Sequence, residues 1–279
     1  DDFILKKERL TVSLMDKEVY FSDINKSNVS VFVIFIDSAR ASNFKMYGYE
    51  RDTTPFLNEL YEQGKLKKIN YSFSTCSESV CGVISSFSGK ERRFLDVYNI
   101  SNEFFLPNIL KRIGYRVYFI SSAYLTTDKW KGLFEFYKND VDLLVEEGDD
   151  GFGSADDRRA LAGVEKIQNY SEGAVFVHIH LFSSHHGGNK EERFSVFKPS
   201  ETNIKISDYF AGTLNKEMIV NRYDNGIYQV DYYISQIFSV LDEKGHLNNS
   251  IILILGDHGE SLGEKNYYHI DAGIAIHHH

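Results

Sequence analysis

The sequence predicts an α/β fold: a mostly parallel β-sheet flanked by helices on both faces. Three observations carry this. Four short apolar runs are continuous and rich in β-formers, as strands buried on both faces are. Amphipathic helical patterns separate them. Strand and helix alternate along the whole chain, which is the pattern of a crossover-connected parallel sheet.

The runs are "VFVIFI" (31–36), "RVYFI" (116–120), "AVFVHIHLF" (174–182) and "SIILIL" (250–255). Between them, "TPFLNELYEQG" (54–64) opens on Thr-Pro and closes on Gly, the residues that start and stop helices. "FFLPNILKRIG" (104–114) leads into the second strand, "DDRRALAGVEKIQNY" (156–170) into the third, and "YDNGIYQVDYYISQIFSVLDEKG" (223–245) into the fourth. Residues 187–215 are polar and aperiodic and read as a long surface loop or insertion.

Composition sets the outer bounds. The chain has 279 residues, 42% hydrophobic and 25% charged, enough for a sizeable core in one large domain. A net charge of −9 argues against nucleic acid as a partner. No apolar run reaches the ~18 residues of a membrane span. The chain opens mid-stream at "DDFILKKERL" and ends in three histidines that read as an affinity-tag remnant. Residues 1–276 are therefore read as a single domain excised from a larger protein, with 277–279 set aside. Cys76 and Cys81 leave the redox compartment open; a disulfide between them would close a very small loop, and free thiols fit the sequence as well.

Ligands of doubly wound sheets bind beyond the carboxyl ends of the strands. Asp37 follows the first run, His185 and His186 the third, and Asp257 and His258 the fourth. Asp37, Asp257 and His258 make an O,O,N set that suits zinc with a position left open for chemistry. The plain alternative for "GDHGES" is a turn whose Asp caps the next helix. His178 reads as a core histidine, and His180, on the same face of the strand, as a weaker candidate for a supporting role. The hydroxyl-rich "STCSESVCGVISSFSG" (74–89) runs into a small-residue helix with Ser79 at its entrance. A metal lowers the pKa of a hydroxyl it coordinates, and a helix N-terminus stabilises the resulting charge; Ser79 is well placed for both effects.

Taken together, "DSARASNFKMYGYERDTTPFL", "SESVCGVISSFSG", "SSHHGG", "YDNGIYQVDYYISQIF" and "GDHGESLGE" resemble the lipid A and lipooligosaccharide phosphoethanolamine transferases of the sulfatase and alkaline-phosphatase superfamily. The resemblance runs in order from about residue 31 to 269. It implies metal ligation by Asp37 (usually Glu in the family), Ser79 (usually Thr), Asp257 and His258. It implies further that His185, Lys131 in "KWKGL" and His269 hold phosphate or a second zinc, although a surface lysine is ordinarily just solvated. The family's cysteine clamp on the nucleophile turn would fall on Thr75 and Ser85, where this chain has none. The family continues for tens of residues past "DHGESLGE", whereas this chain stops soon after.

The implied activity is zinc-dependent, with one ion or two. Phosphoethanolamine passes from phosphatidylethanolamine to a lipopolysaccharide or other glycan acceptor through a phospho-seryl intermediate. The implied setting is the membrane surface at the periplasmic face of the inner membrane. Rival readings are a phosphoglycerol transferase or phosphodiesterase of the same superfamily, a sulfatase, and a periplasmic binding domain with a dead site. The sulfatase reading is the poorest, because neither cysteine has an arginine four residues on.

Overall fold

The computed structural model describes residues 26–94, 106–123, 141–146, 151–201 and 215–264. Its centre is a five-stranded sheet of β1 (Ser30–Ile36), β2 (Arg116–Ser121), β3 (Leu143–Val145), β4 (Val175–Leu181) and β5 (Ser250–Gly256), in the order β3-β2-β4-β1-β5. Every pairing is parallel. The four apolar runs are strands within a residue or so of the expected bounds. β3 is an addition: a three-residue edge strand beside acidic neighbours, too short to stand out as an apolar run.

Alternation along the strands divides the core in two. Phe32, Ile34, Ile36, Val175, Val177 and Ile179 pack against α1 (Pro55–Glu62), α4 (Asp157–Val164) and α5 (Lys216–Glu243) through Leu57, Val164 and Ile234. Val33, Phe35, Val117, Phe119 and Phe176 face α2 (Ser79–Ser88) and α3 (Leu106–Arg112) through Val80, Val83, Ile84 and Phe87. Helices thus cover both faces. β1, β2 and β4, buried on both sides, have no polar face to alternate, which is why they read as continuous apolar runs; edge strand β5 leaves Ile251 and Leu253 exposed.

Three helices differ from their expected spans. Helix α4 ends at Val164, and the remainder of its expected stretch includes a 3₁₀ turn at Tyr170–Glu172. Helix α5 begins seven residues earlier than Tyr223, at Lys216, capped by Asn215, whose side chain accepts from Glu217 N at 2.7 Å. The helix at 104–114 is described from Leu106 to Arg112. The stretch 187–215 is more tied down than a free surface loop where it is described: Phe194 is buried, and Glu191 N donates to Gln229 Oε1 of α5 at 2.9 Å.

Helix α5 also explains two of the sequence motifs. Its buried Asp224 accepts from Asn43, Tyr49 and Arg51 at 2.7–2.8 Å. About two turns on, Asp231 accepts from Phe56 N and Leu57 N at 2.7 and 3.0 Å, capping α1 from outside its own chain segment. The polar residues of "YDNGIYQVDYY" therefore fold "NFKMYGYERDTTPFL" against the sheet. Among the described residues, no helix is long and apolar enough to cross a membrane.

Candidate active site

The site forms where β4, β1 and β5 lie side by side and end. Phe35 is in register with His180 on one neighbour and Leu255 on the other, so Asp37 and Asp257 emerge on the same sheet face as His180. That face is the one covered by α2. Asp37, His180, Asp257 and His258 are each at most 4% exposed.

Asp37 Oδ2 lies 3.7 Å from His180 Nε2, and Asp257 Oδ2 lies 3.5 Å from the same nitrogen. His258 Nε2 is 3.8 Å from Asp37 Oδ1 and 3.8 Å from Asp257 Oδ2. Ser79, partly exposed at the mouth, donates to Asp37 Oδ2 at 3.0 Å and sits 3.1 Å from His258 Nε2. Neighbouring donor atoms of these five groups therefore lie 3.0–3.8 Å apart. Ligands ~2.0–2.1 Å from a tetrahedral zinc stand roughly 3.3 Å apart. Asp37, His180 and Asp257 also form a group whose ligand atoms are close enough to share one metal ion.

Local folding aims each group. Ser38 takes a left-handed backbone (φ 61°), uncommon for a residue with a Cβ. Its N–H donates to Asp257 Oδ1 at 3.0 Å and its hydroxyl to Asp37 Oδ1 at 2.8 Å, so one turn orients both carboxylates. His258 Nδ1 is 2.7 Å from Gly259 O. A carbonyl can only accept, so Nδ1 carries the hydrogen and Nε2 presents its lone pair to the centre. Asp257 Oδ2 is buried and accepts no hydrogen bond there.

The electrostatics suit a bound cation. Burial, then the Asp257 charge, push Asp37 above the usual carboxylate range. Burial also works against ionised Asp257, but His258 and His180 outweigh it and hold that carboxyl low. Burial opposes protonation of His258, and the two carboxylates overcome it and raise the imidazole. Two carboxylates this close and this dry require positive charge between them. A divalent ion supplies it, and the donors fit one.

Helix α2 starts at Ser79, with Glu78 extended before it and Gly89, left-handed at φ 67°, closing it. The helix approaches β5 so closely that a Cβ on Gly82 would stand 2.2 Å from Asp257 O. Ser74 adds a second tie, donating to that same carbonyl at 2.6 Å. Cys76 and Cys81 are bonded to each other, which settles the question the sequence left open. The bond spans the start of α2 with Ser79 inside its loop. Ser85, one of the two positions expected to match a clamp cysteine, has its hydroxyl 3.3 Å from Cys76 Sγ.

Of the expected site residues, Asp37, Ser79, Asp257 and His258 come together. His185 stands on the turn after β4, partly exposed, its Nδ1 accepting from Gly187 N at 3.1 Å. That turn is braced from behind: Lys190 Nζ donates to His185 O at 2.8 Å and Arg222 to His186 O at 3.0 Å. Lys131 and His269 lie outside the described residues. His180 belongs to the donor cluster itself, a closer role than the supporting one expected for it. Its signal was parity, since it shares the sheet face of Asp37 and Asp257. His178 is a core histidine as expected, its ring packed on Phe35, Phe87 and Phe119.

Comparison with known proteins gives the site a context. Phosphoethanolamine transferase EptA of Helicobacter pylori is 27% identical over 249 residues, covering 88% of this chain and 44% of its own length. Phosphatidylethanolamine transferase Mcr-1 of Escherichia coli is 24% identical over 257 residues, 88% of this chain and 45% of its own. The chain thus spans under half the length of these relatives. Among solved structures, the zinc complex of the C-terminal periplasmic domain of EptC from Escherichia coli superposes with a TM-score of 0.69 at 17% identity, over 86% of this chain and 66% of that one. The soluble domain of lipooligosaccharide phosphoethanolamine transferase A from Neisseria meningitidis gives 0.67 at 21% identity, over 88% and 72%. The Sulfatase family model matches residues 30–278, all five strands and the whole site, and the chain belongs to that family.

Proposed function

We propose that this chain is the catalytic domain of a phosphoethanolamine transferase, taking the group from phosphatidylethanolamine and passing it to a lipid A-type or other glycan acceptor. The observation that carries the reading is the hydroxyl of Ser79. It stands at the first residue of α2, in hydrogen-bond reach of Asp37 and His258, at the open side of a zinc-type donor set.

Asp37, His180, Asp257 and His258, with Ser79, would hold zinc. Bound there, zinc would lower the pKa of the serine hydroxyl and neutralise charge on the attacked phosphate. In the first step Ser79 Oγ forms a bond to phosphorus and the bond to the diacylglycerol oxygen breaks. The serine proton leaves, and the diacylglycerol oxygen takes one up, for which His185 at the rim is the candidate acid. In the second step an acceptor oxygen displaces Ser79 from phosphorus and the acceptor's proton is released. Helix α2 directs its N-terminal N–H groups toward the charge that develops on the phosphoryl oxygens. Lys131, His185 and His269 are proposed to hold those oxygens, or a second zinc.

A donor set beside a helix-entrance hydroxyl supports this reading over a dead binding domain. The disulfide leaves neither cysteine free for sulfatase chemistry. The relatives' names support phosphoethanolamine as the group transferred, and the solved neighbours that are periplasmic domains support a periplasmic setting, for which the face of the inner membrane is proposed. The test is diacylglycerol release by the zinc-loaded chain from phosphatidylethanolamine against phosphatidylglycerol, in detergent micelles. The proposal expects release from the ethanolamine lipid alone and none with Ser79→Ala. Release from the glycerol lipid instead would reassign the chain as a phosphoglycerol transferase.

A further inference from the structure

The segment joining α1 to α2 carries a surface that the chemistry above does not use. Ile69, Tyr71 and Phe73 are 64%, 87% and 56% exposed, and neighbouring Tyr47 is 37% exposed. Half of the large apolar side chains exposed among the described residues therefore fall in this one patch. Tyr47 ties itself to the segment by donating to Ile69 O at 3.1 Å. Isolated exposed apolar residues need no explanation, but a cluster does.

The charge around the patch is also unusual for this chain. Between Gln63 and Ser77 stand Lys65, Lys67 and Lys68 with no acidic residue, although the protein as a whole carries −9. Lys68 is spent internally, donating to Met46 O at 2.8 Å and lying over the Tyr47 and Tyr61 rings. Lys65 and Lys67 are exposed. Aromatic and aliphatic side chains beside solvated lysines match the boundary of an anionic bilayer, where apolar groups enter the headgroup layer and lysines meet lipid phosphates.

We propose that Tyr47, Ile69, Tyr71 and Phe73, with Lys65 and Lys67, dock the domain onto an anionic lipid surface. The placement matters for the reaction. Phe73 is followed by Ser74, which is locked to Asp257 O, and five residues later comes Ser79. The docking residues and the nucleophile are thus held in one short, cross-tied stretch, so docking sets Ser79 at headgroup depth. This rests on the reading that the donor is a membrane lipid.

The experiment is co-sedimentation of the 279-residue chain with phosphatidylcholine vesicles, with and without phosphatidylglycerol. No phosphatidylethanolamine is present, so binding is read without turnover. The chain is expected to bind the anionic vesicles, and Lys65→Gln/Lys67→Gln to bind about fivefold more weakly per lysine removed. Ile69→Ser/Tyr71→Ser/Phe73→Ser is expected to lose at least tenfold of the affinity, while turning over a soluble short-chain phosphatidylethanolamine at the wild-type rate. Failure of the wild type to bind, or equal binding by the triple variant, would overturn the proposal. So would a wild-type dimer that the triple variant dissolves, since a second copy would then cover the patch. Binding that follows the substitutions in a chain that turns over no phosphatidylethanolamine would support docking and remove only the transfer reading.

Discussion

Gly82→Ala separates close packing from helix propensity, because the two predict opposite signs. Gly82 lies within α2, where alanine is favoured over glycine by about 1 kcal/mol. The new methyl would, however, stand 2.2 Å from Asp257 O and 2.8 Å from Asp257 C, and a Cβ does not come closer than 3.0 Å to another atom. Backbone on both sides cannot swing aside as a side chain would. Helix and strand end must separate by roughly 1 Å, an overpacking cost of about 1–3 kcal/mol. The same shift carries Ser79, less than one turn away, off its 3.0 and 3.1 Å contacts with Asp37 and His258. The expected result is a net loss of stability in urea unfolding of the metal-free chain, with weaker zinc retention against a chelator. A variant as stable as wild type or more so, retaining zinc equally, would refute the close approach of α2 to Asp257.

Other expectations follow from single contacts. His180→Ala should lower zinc affinity by more than about a hundredfold by competition titration, beyond the ten- to hundredfold range for residues that only support a metal site; His178→Phe, in the apolar layer beneath, should leave it within twofold. Cys76→Ser/Cys81→Ser should cost about 2 kcal/mol in urea unfolding, from the short loop the disulfide closes, and slow transfer by loosening the start of α2. Glu264 pairs with Arg40 at 2.7 Å, and although partial burial opposes it, Arg40 holds the carboxyl down at about 2. A depressed carboxylate stabilises above its unfolded pKa, and that stability disappears as pH falls from about 4.5 toward 2. Because both groups are partly exposed, Glu264→Gln should cost about 1 kcal/mol at pH 7 and nothing near pH 2, by thermal melts at both.

What was legible in the sequence follows from how each feature is encoded. A strand buried on two faces writes itself as an unbroken apolar run, so β1, β2 and β4 were plain; edge strand β5 reads the same way although Ile251 and Leu253 are 54% and 46% exposed, while three-residue β3 was hidden by its length. Asp37, Asp257 and His258 stood out because strand ends are where a doubly wound sheet places chemistry. His180 was obscured by its position inside the run "VFVHIHLF", where a histidine looks like core until the register of three strands puts it beside two carboxylates. The first two turns of α5 were missed because Asn221 and Arg222 are buried to hold loops, not to make an apolar stripe. The pairing of Cys76 with Cys81 depends on the turn that brings them together, which no spacing rule dictates.

The account turns on whether Ser79 carries the group. The direct measurement is acid-quenched incubation of the zinc-loaded chain with phosphatidylethanolamine, followed by intact-mass analysis and peptide sequencing by mass spectrometry. The account predicts one phosphoethanolamine per chain, on Ser79, absent from Ser79→Ala. An adduct that persists in Ser79→Ala, or diacylglycerol released with no adduct at any time point, would contradict it.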